Sequence, residues 1–154
     1  MSFHLSLNTD TVTAAYPTEP LLVSPENTVG AVLGLIKNQL VASALVCEDD
    51  RLLGIFTERD ALAWMSSGKS ADVPISELMS SDLETLSASD TVGAAIRQMS
   101  EGRYRRMPIV ADDGRPQGLA SFKGIIHYLV DHFPQTIYNL PPDPKSTPSE
   151  REGA

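Results

Sequence analysis

The spacing of apolar residues along the chain predicts short strands and helices in close succession. After the polar stretch that ends at Thr28, apolar residues recur at every third or fourth position, the spacing of one helical face, and predict a helix ending at Gln39. These residues are Val29, Val32, Leu33 and Ile36. Short apolar runs predict three strands, at residues 21–23, 40–47 and 52–56. With a second helix through Trp64 and Met65, the predicted order is strand, helix, strand, strand, helix.

The same order occurs again in the second half of the chain, because three of its segments match three of the first half. The matching pairs are 87–94 with 24–31, 106–110 with 43–47, and 118–124 with 54–60. One extra turn residue, assigned to Gly114, separates the second pair from the third. A half of roughly 60 residues is marginally stable alone. The two halves are therefore expected to bury their sheets against each other about a pseudo-two-fold axis, which creates two related clefts.

The rest of the chain completes the predicted domain organisation. Its parts are an N-terminal arm or short helix at 1–15, the first repeat at 16–70, a short linker helix with the second repeat at 71–140, and a disordered, proline-rich, polar tail at 141–154. No apolar run approaches the roughly 18 residues that span a bilayer, and the N-terminus lacks a signal-peptide pattern. We therefore expect a cytoplasmic protein with no membrane partner.

Composition argues against several classes of function. A formal net charge of −8 would repel a nucleic acid, so no nucleic-acid partner is expected. The single Cys47 lies in an apolar run and is interpreted as a buried, inert thiol, and the three histidines share no metal-ligand spacing with it or with carboxylates. Because no nucleophile and base are grouped as catalysis requires, the protein is not expected to be an enzyme or to contain a metal.

Two polar clusters remain as candidates for binding. Thr57 and Asp60 follow the third strand where a helix begins, and free backbone N–H groups at such a position can hold an anion. Helix capping by the same two side chains is the alternative. Positive charge is concentrated at Arg103, Arg105 and Arg106, which is informative in an acidic chain, although the three could be ordinary surface charges.

Taken with the duplication, these segments resemble the tandem cystathionine β-synthase (CBS) domain pair, the Bateman module. The likeness lies in the two glycine-to-helix segments at 54–60 and 118–124, the helix entries at Ser24 and Ser87, and the strand at 106–110. It implies an α+β fold of two β-α-β-β-α repeats about a pseudo-two-fold axis, commonly paired into a homodimer. It also implies a regulatory module that senses adenine nucleotides or related adenosyl ligands for a regulated protein that the sequence does not identify.

The resemblance also assigns roles to residues of one cleft. Asp60 and Thr57 would hold the ribose, and Arg105, Arg106 and Lys123 would hold phosphate. The wall around the base is assigned to Ile55, Leu83, Tyr104 and Pro108, with Glu84 adjacent. In the opposite cleft Gly124 replaces the aspartate, Ser121 keeps the hydroxyl, and only Arg59 supplies charge, so that cleft is predicted to be empty or weak.

Two functions follow from this. The first is a sensor that requires no cofactor and binds AMP, ADP or ATP, with S-adenosylmethionine and NADH ranked behind them. The alternative is a homodimeric interaction or assembly module with vestigial clefts. The sequence does not determine which adenosyl ligand binds, which protein is regulated, or whether the dimer is parallel or antiparallel.

Overall fold

The computed structural model describes residues 7–132 and confirms the predicted repeat. The first repeat consists of β1 (Leu22–Val23), α1 (Val29–Gln39), β2 (Ala44–Glu48), β3 (Arg51–Phe56) and α2 (Glu58–Ser67). The second consists of β4 (Leu86–Ser87), α3 (Val92–Gly102), β5 (Arg106–Val110), β6 (Pro116–Ser121) and α4 (Phe122–Asp131). Two short 3-10 helices, Val12–Ala14 and Ile75–Glu77, contact the segments that lead into α3 and α1, respectively. The predicted tail at 141–154 lies outside the described residues.

Each repeat contains one three-stranded sheet, in the orders β1-β2-β3 and β4-β5-β6. In both sheets the first pair of strands is parallel and the second is antiparallel. The β2–β3 turn is a tight one through Asp49 and Asp50, both at positive φ, which suits a two-residue hairpin. The β5–β6 turn is longer and contains Gly114 at φ +89°, where the sequence predicted the extra residue.

The first helix of each repeat begins with a threonine cap and ends at a residue in the left-handed conformation. Thr28 Oγ1 accepts the Ala31 N–H at 3.1 Å, and Thr91 Oγ1 accepts the Ala94 N–H at 3.0 Å. Such N-caps satisfy a backbone donor that the helix itself leaves unpaired. The strand predicted from Leu40 is wrong at its start: Leu40 is 92% exposed and ends α1 in the left-handed conformation, so β2 begins only at Ala44.

The segment before each repeat packs on the other repeat. Val12 lies in the apolar core of the second repeat, and its N–H donates to the carbonyl oxygen of Asp90 at 2.9 Å. Ile75 lies in the core of the first repeat, and its N–H donates to the carbonyl oxygen of Asn27 at 2.7 Å. The residues around Val12 thus pack on the second repeat, and the linker around Ile75 packs on the first. The division of the chain into arm, repeats and tail stays a prediction.

A third apolar cluster joins the two sheets. Its buried residues are Leu45, Ile55 and Leu119, and partly buried Cys47, Leu52 and Leu83 pack against them. The thiol expected to be buried is thus only partly so, and desolvation together with the nearby Asp50 raises its pKa. None of the helices between residues 7 and 132 has the length and apolar character that crossing a bilayer requires.

Candidate functional site

A cleft of about 510 Å³ opens between the two repeats. Most of the sequence-predicted site residues line it together: Ile55, Thr57, Leu83, Glu84, Tyr104, Arg105, Arg106 and Pro108. Thr57 lies at the start of α2 in the first repeat, whereas the arginines come from the start of β5 in the second. The structure therefore brings the predicted hydroxyl and the predicted positive charge to one cavity from distant parts of the chain.

Asp60 lies directly behind the wall of this cleft. Its Oδ2 accepts the Thr57 N–H at 3.0 Å, and its Oδ1 accepts the hydroxyl of Ser80 at 2.8 Å. The first contact is a capping interaction at the start of α2. Ser80 itself lines the cleft, whereas Asp60 is not among the lining residues. Because a carboxylate offers about four acceptor positions, Asp60 can accept both of these hydrogen bonds and still accept a further one.

The turn between α3 and β5 presents the positive charge. Arg103 ends α3 in the left-handed conformation at φ +57°, and the Tyr104 N–H returns to the Met99 carbonyl oxygen at 3.0 Å. The carbonyl oxygen of Arg105 accepts the Phe122 N–H at 2.8 Å, which holds the turn against α4. Arg103 and Arg105 are exposed and line the cleft, and within residues 7–132 neither forms an ion pair.

Arg106 does form an ion pair across the cleft. Its Nη1 lies 2.9 Å from Oε2 of Glu58, the first residue of α2. Burial opposes ionisation of Glu58, but a backbone hydrogen bond and the Arg106 guanidinium outweigh it, so the pKa of Glu58 lies below its usual value. The two repeats are therefore bridged by opposite charges inside the candidate site.

Several lining residues were not predicted to line this cleft. They are Glu58, Arg59, Leu62, Ser80, Asp82 and Arg103. Glu58 lies beside Thr57, and Arg103 belongs to the arginine cluster, so proximity in sequence could have indicated both. No sequence pattern assigned Ser80 itself to the site, because it reaches the cleft through the antiparallel bridge between Ile55 and Ser80. Arg59, assigned by the resemblance to the opposite cleft, lines this one instead.

Lys123 is a predicted phosphate contact that lies outside the lining of the cleft. It is exposed at the start of α4 and is not among the residues that line the cleft. Its role in holding phosphate stays a prediction.

The position equivalent to Asp60 in the second repeat is crowded by the chain itself. A Cβ at Gly124 would lie 2.5 Å from the Ala15 carbonyl oxygen and 2.8 Å from that of Tyr16. Ser121 Oγ accepts the Gly124 N–H at 3.0 Å and so acts as a helix cap. Glycine is thus required where the first repeat has its carboxylate, since residues 15 and 16 fill the space that a side chain would need.

Comparison with known proteins agrees with this duplicated fold. The family model described as "CBS domain" matches the chain twice, at residues 13–67 and 75–131. The chain belongs to the CBS-domain family. Among curated proteins, this CBS-domain chain is 33% identical over 94 residues to the CBS domain-containing protein YhcV of Bacillus subtilis, which covers 60% of this chain and 67% of YhcV.

Other relatives are much longer than the matched region. A 33.4 kDa protein of Thermofilum pendens is 30% identical over 95 residues, which are 62% of this CBS-domain chain but 31% of that protein. An inosine-5'-monophosphate dehydrogenase of Thermoplasma acidophilum is 31% identical over 104 residues, 68% of this chain and 20% of the dehydrogenase. The chain thus spans a third or less of the length of these two relatives.

Solved structures share the CBS-pair fold at low sequence identity. CBSX2, solved in complex with AMP, has a TM-score of 0.69 at 22% identity and covers 79% of this chain and 97% of its own. The CBS domain pair of MJ0100, solved with 5'-methylthioadenosine and S-adenosyl-L-methionine, has a TM-score of 0.69 at 18% identity and covers 76% and 97%. In the part of the chain from residue 7 to 132, no group of three or more His, Cys, Asp or Glu is placed to hold a metal ion.

Proposed function

We propose that this CBS pair is a regulatory module that binds an adenine nucleotide in the cleft between its repeats. The observation that carries the proposal is the meeting of Thr57 at the start of α2 with Arg105 and Arg106 from the second repeat. A hydroxyl at a helix N-terminus and guanidinium groups opposite it are suited to a ribose and its phosphate.

The size and the apolar wall of the cleft support the same ligand class. A volume of about 510 Å³ falls in the range of small-molecule sites. Buried Ile55 and Pro108, with partly buried Leu83 and Tyr104, offer the apolar and aromatic surface that a flat base needs. Glu84 at the rim supplies an acceptor for an exocyclic amino group.

Asp60 would engage the ribose through a change at Ser80. The Ser80 hydroxyl donates to Asp60, so a ribose hydroxyl must either replace Ser80 or bind beside it. Rotation of a single exposed hydroxyl is a small change, and the cap from Asp60 to the Thr57 N–H would be kept. The carboxylate would then serve helix and ligand together.

Regulation follows from the position of the ligand between the repeats. A nucleotide that contacts both α2 and β5 favours the relative packing in which both contacts are made, and its effect is limited by its difference in affinity for the alternatives. A regulated protein, not identified by the sequence, would respond to this packing. The solved CBS pairs with AMP or S-adenosyl-L-methionine support the adenosyl class without choosing among AMP, ADP, ATP, S-adenosylmethionine and NADH.

Calorimetric titration with each of these ligands tests the proposal. Arg105→Ala and Asp60→Asn should each weaken the tightest of them, by about tenfold or more, since each removes a charge-assisted hydrogen bond. Asparagine keeps an acceptor for the cap of α2, so the loss can be separated from unfolding. Arg97→Ala, at an exposed position of α3, changes the net charge by the same amount and sign as Arg105→Ala and should leave affinity unchanged. Absence of binding by every ligand would reject the sensor.

The alternative function, an assembly module, is favoured by exposed apolar side chains on α2 and α4. Leu62 on α2 and Ile126 on α4 occupy equivalent positions of the two repeats and are 65% and 43% exposed. Met65, Phe122 and Val130 extend the exposed apolar surface on these helices. A second copy of the chain could cover both faces at once through a two-fold interface. Sedimentation analysis of Leu62→Glu with Ile126→Glu should then show monomers where the wild type shows dimers, and a monomeric wild type would reject this function.

A further inference from the structure

The candidate cleft contains an acidic charge where a phosphate-binding site would be expected to have none. Glu58 is the first residue of α2, the position at which free backbone N–H groups and the helix dipole attract an anion. Its own carboxylate already complements that dipole. A phosphate that approaches the start of α2 therefore meets a negative charge there.

Glu58 also neutralises part of the positive charge opposite it. The 2.9 Å contact with Arg106 joins residues 48 positions apart, and the side chains are 50% and 23% exposed. A guanidinium has five N–H donors, so Arg106 can keep this partner and still donate to one phosphate oxygen or two. It cannot act as an uncompensated charge while Glu58 stays ionised.

The other charges that line the cleft are mixed. Arg59, Arg103 and Arg105 are basic, whereas Asp82 and Glu84 are acidic and exposed. Arg103 and Arg105 form no ion pair among residues 7–132, although Arg105 also acts electrostatically on Glu58. Part of the positive charge of the cleft is therefore available for a ligand. With Glu58 counted, the positive excess among the lining residues is small. A small excess of positive charge can balance one phosphate group better than three.

We propose that Glu58 is a specificity-determining residue that makes this cleft select adenosyl ligands of low negative charge, such as a monophosphate, over nucleoside triphosphates. The inference rests on the proposed function, since it names the ligand class of the same site. Each added phosphate brings more negative charge near Glu58, so repulsion grows along the series from adenosine to AMP to ATP. The Glu58–Arg106 pair thereby sets an upper limit to the ligand charge that the cleft accepts.

Titration of adenosine, AMP and ATP into the wild type and Glu58→Gln tests this. Removing the negative charge should strengthen ATP binding by about tenfold and AMP binding by about threefold, and change adenosine binding by less than about twofold. Glu58→Asp keeps the charge and the helix N-terminal preference, so it should keep the order of affinities. Glu101→Gln, on α3 outside the cleft, is the matched control and should change none of the three.

The possible outcomes separate the two levels of the proposal. If the ligands bind but Glu58→Gln alters all three equally or none of them, the role of Glu58 is overturned while the nucleotide site stands. If neither form binds any of the three ligands, the nucleotide site and the role of Glu58 are overturned together. Gains for ATP that shrink as salt is raised from about 0.05 to 0.5 M would support a charge effect over a change of shape.

Discussion

The carbonyl oxygen of Ala15 lies 2.5 Å from the position that a Cβ atom at Gly124 would occupy, which is too close for any residue other than glycine. The Tyr16 carbonyl oxygen approaches the same point to 2.8 Å. Both atoms are backbone and belong to the segment that packs on the second repeat, so neither can rotate away. The departure from the aspartate of the first repeat is therefore a packing requirement of this chain.

The first prediction concerns this contact. Gly124→Ala should lower the free energy of unfolding by about 2–3 kcal/mol, because the methyl group forces the Ala15 segment away from α4. Chemical denaturation followed by circular dichroism measures the change. Gly34→Ala is the control, since this position of α1 is exposed and no atom lies within 4 Å of the added methyl group. It should stabilise the protein by about 0.5–1 kcal/mol. A similar result for both variants would contradict the crowding argument.

The second prediction concerns the attachment of the N-terminal segment. The Tyr128 hydroxyl donates to Asp10 at 2.6 Å in a partly buried site, so Tyr128→Phe should destabilise the protein by about 1–2 kcal/mol. Tyr16 also donates its hydroxyl to a carboxylate, that of Asp131, but in an exposed position. Tyr16→Phe should therefore change the unfolding free energy by less than about 0.5 kcal/mol. Equal effects in thermal unfolding would show that burial does not distinguish the two bonds.

The third prediction uses the equivalent caps of α1 and α3. Thr28→Ala and Thr91→Ala should each cost about 1 kcal/mol of stability, since each leaves a backbone N–H of the first turn without its partner. The serine variants should keep most of the stability. Because the two caps lie in different repeats, the double variant should show the sum of the single effects in denaturant titration. A marked departure from additivity would indicate coupling between the repeats.

The fourth prediction is the pH dependence that Glu58 contributes. Its pKa in the folded protein lies below the usual value of a glutamate, so its stabilising contribution is present above that usual value and is lost as the pH falls through the folded pKa. Half exposure limits the contribution to less than about 1 kcal/mol. The stability difference between the wild type and Glu58→Gln should thus be constant from pH 7 to about 5.5 and shrink below about 4.5. A difference that grows on acidification would contradict the sign.

Repeat number, element order and helix starts could all be read from the chain before any coordinates. Local patterns carry this information, because a helical face at Val29 and Val32 and a threonine cap at Thr28 depend on residues a few positions apart. The strand start at Leu40 was misjudged for the same reason. Its apolar side chain suits a strand, but the left-handed end of α1 leaves it in solvent.

Part of the cleft was predicted from the family resemblance and not from local patterns. Resemblance to CBS pairs placed Thr57, Arg105 and Arg106 together, although they are far apart in sequence. It could not show that Asp60 is held by Ser80, since Ser80 reaches the site only through strand-like pairing with Ile55. Nor could it show that Lys123 stands apart from the lining residues.

The order of the residues thus dictated a duplicated α+β chain with a hydroxyl, a carboxylate and an arginine cluster at recognisable positions. The folded structure alone established which of these groups face one cavity, that Glu58 neutralises Arg106 across it, and that Ala15 and Tyr16 fill the equivalent place in the other half. Local periodicity specifies helices and strands through contacts between near neighbours. Ion pairs and steric exclusion between residues about 50 or 100 positions apart arise only when distant segments of the chain pack against each other.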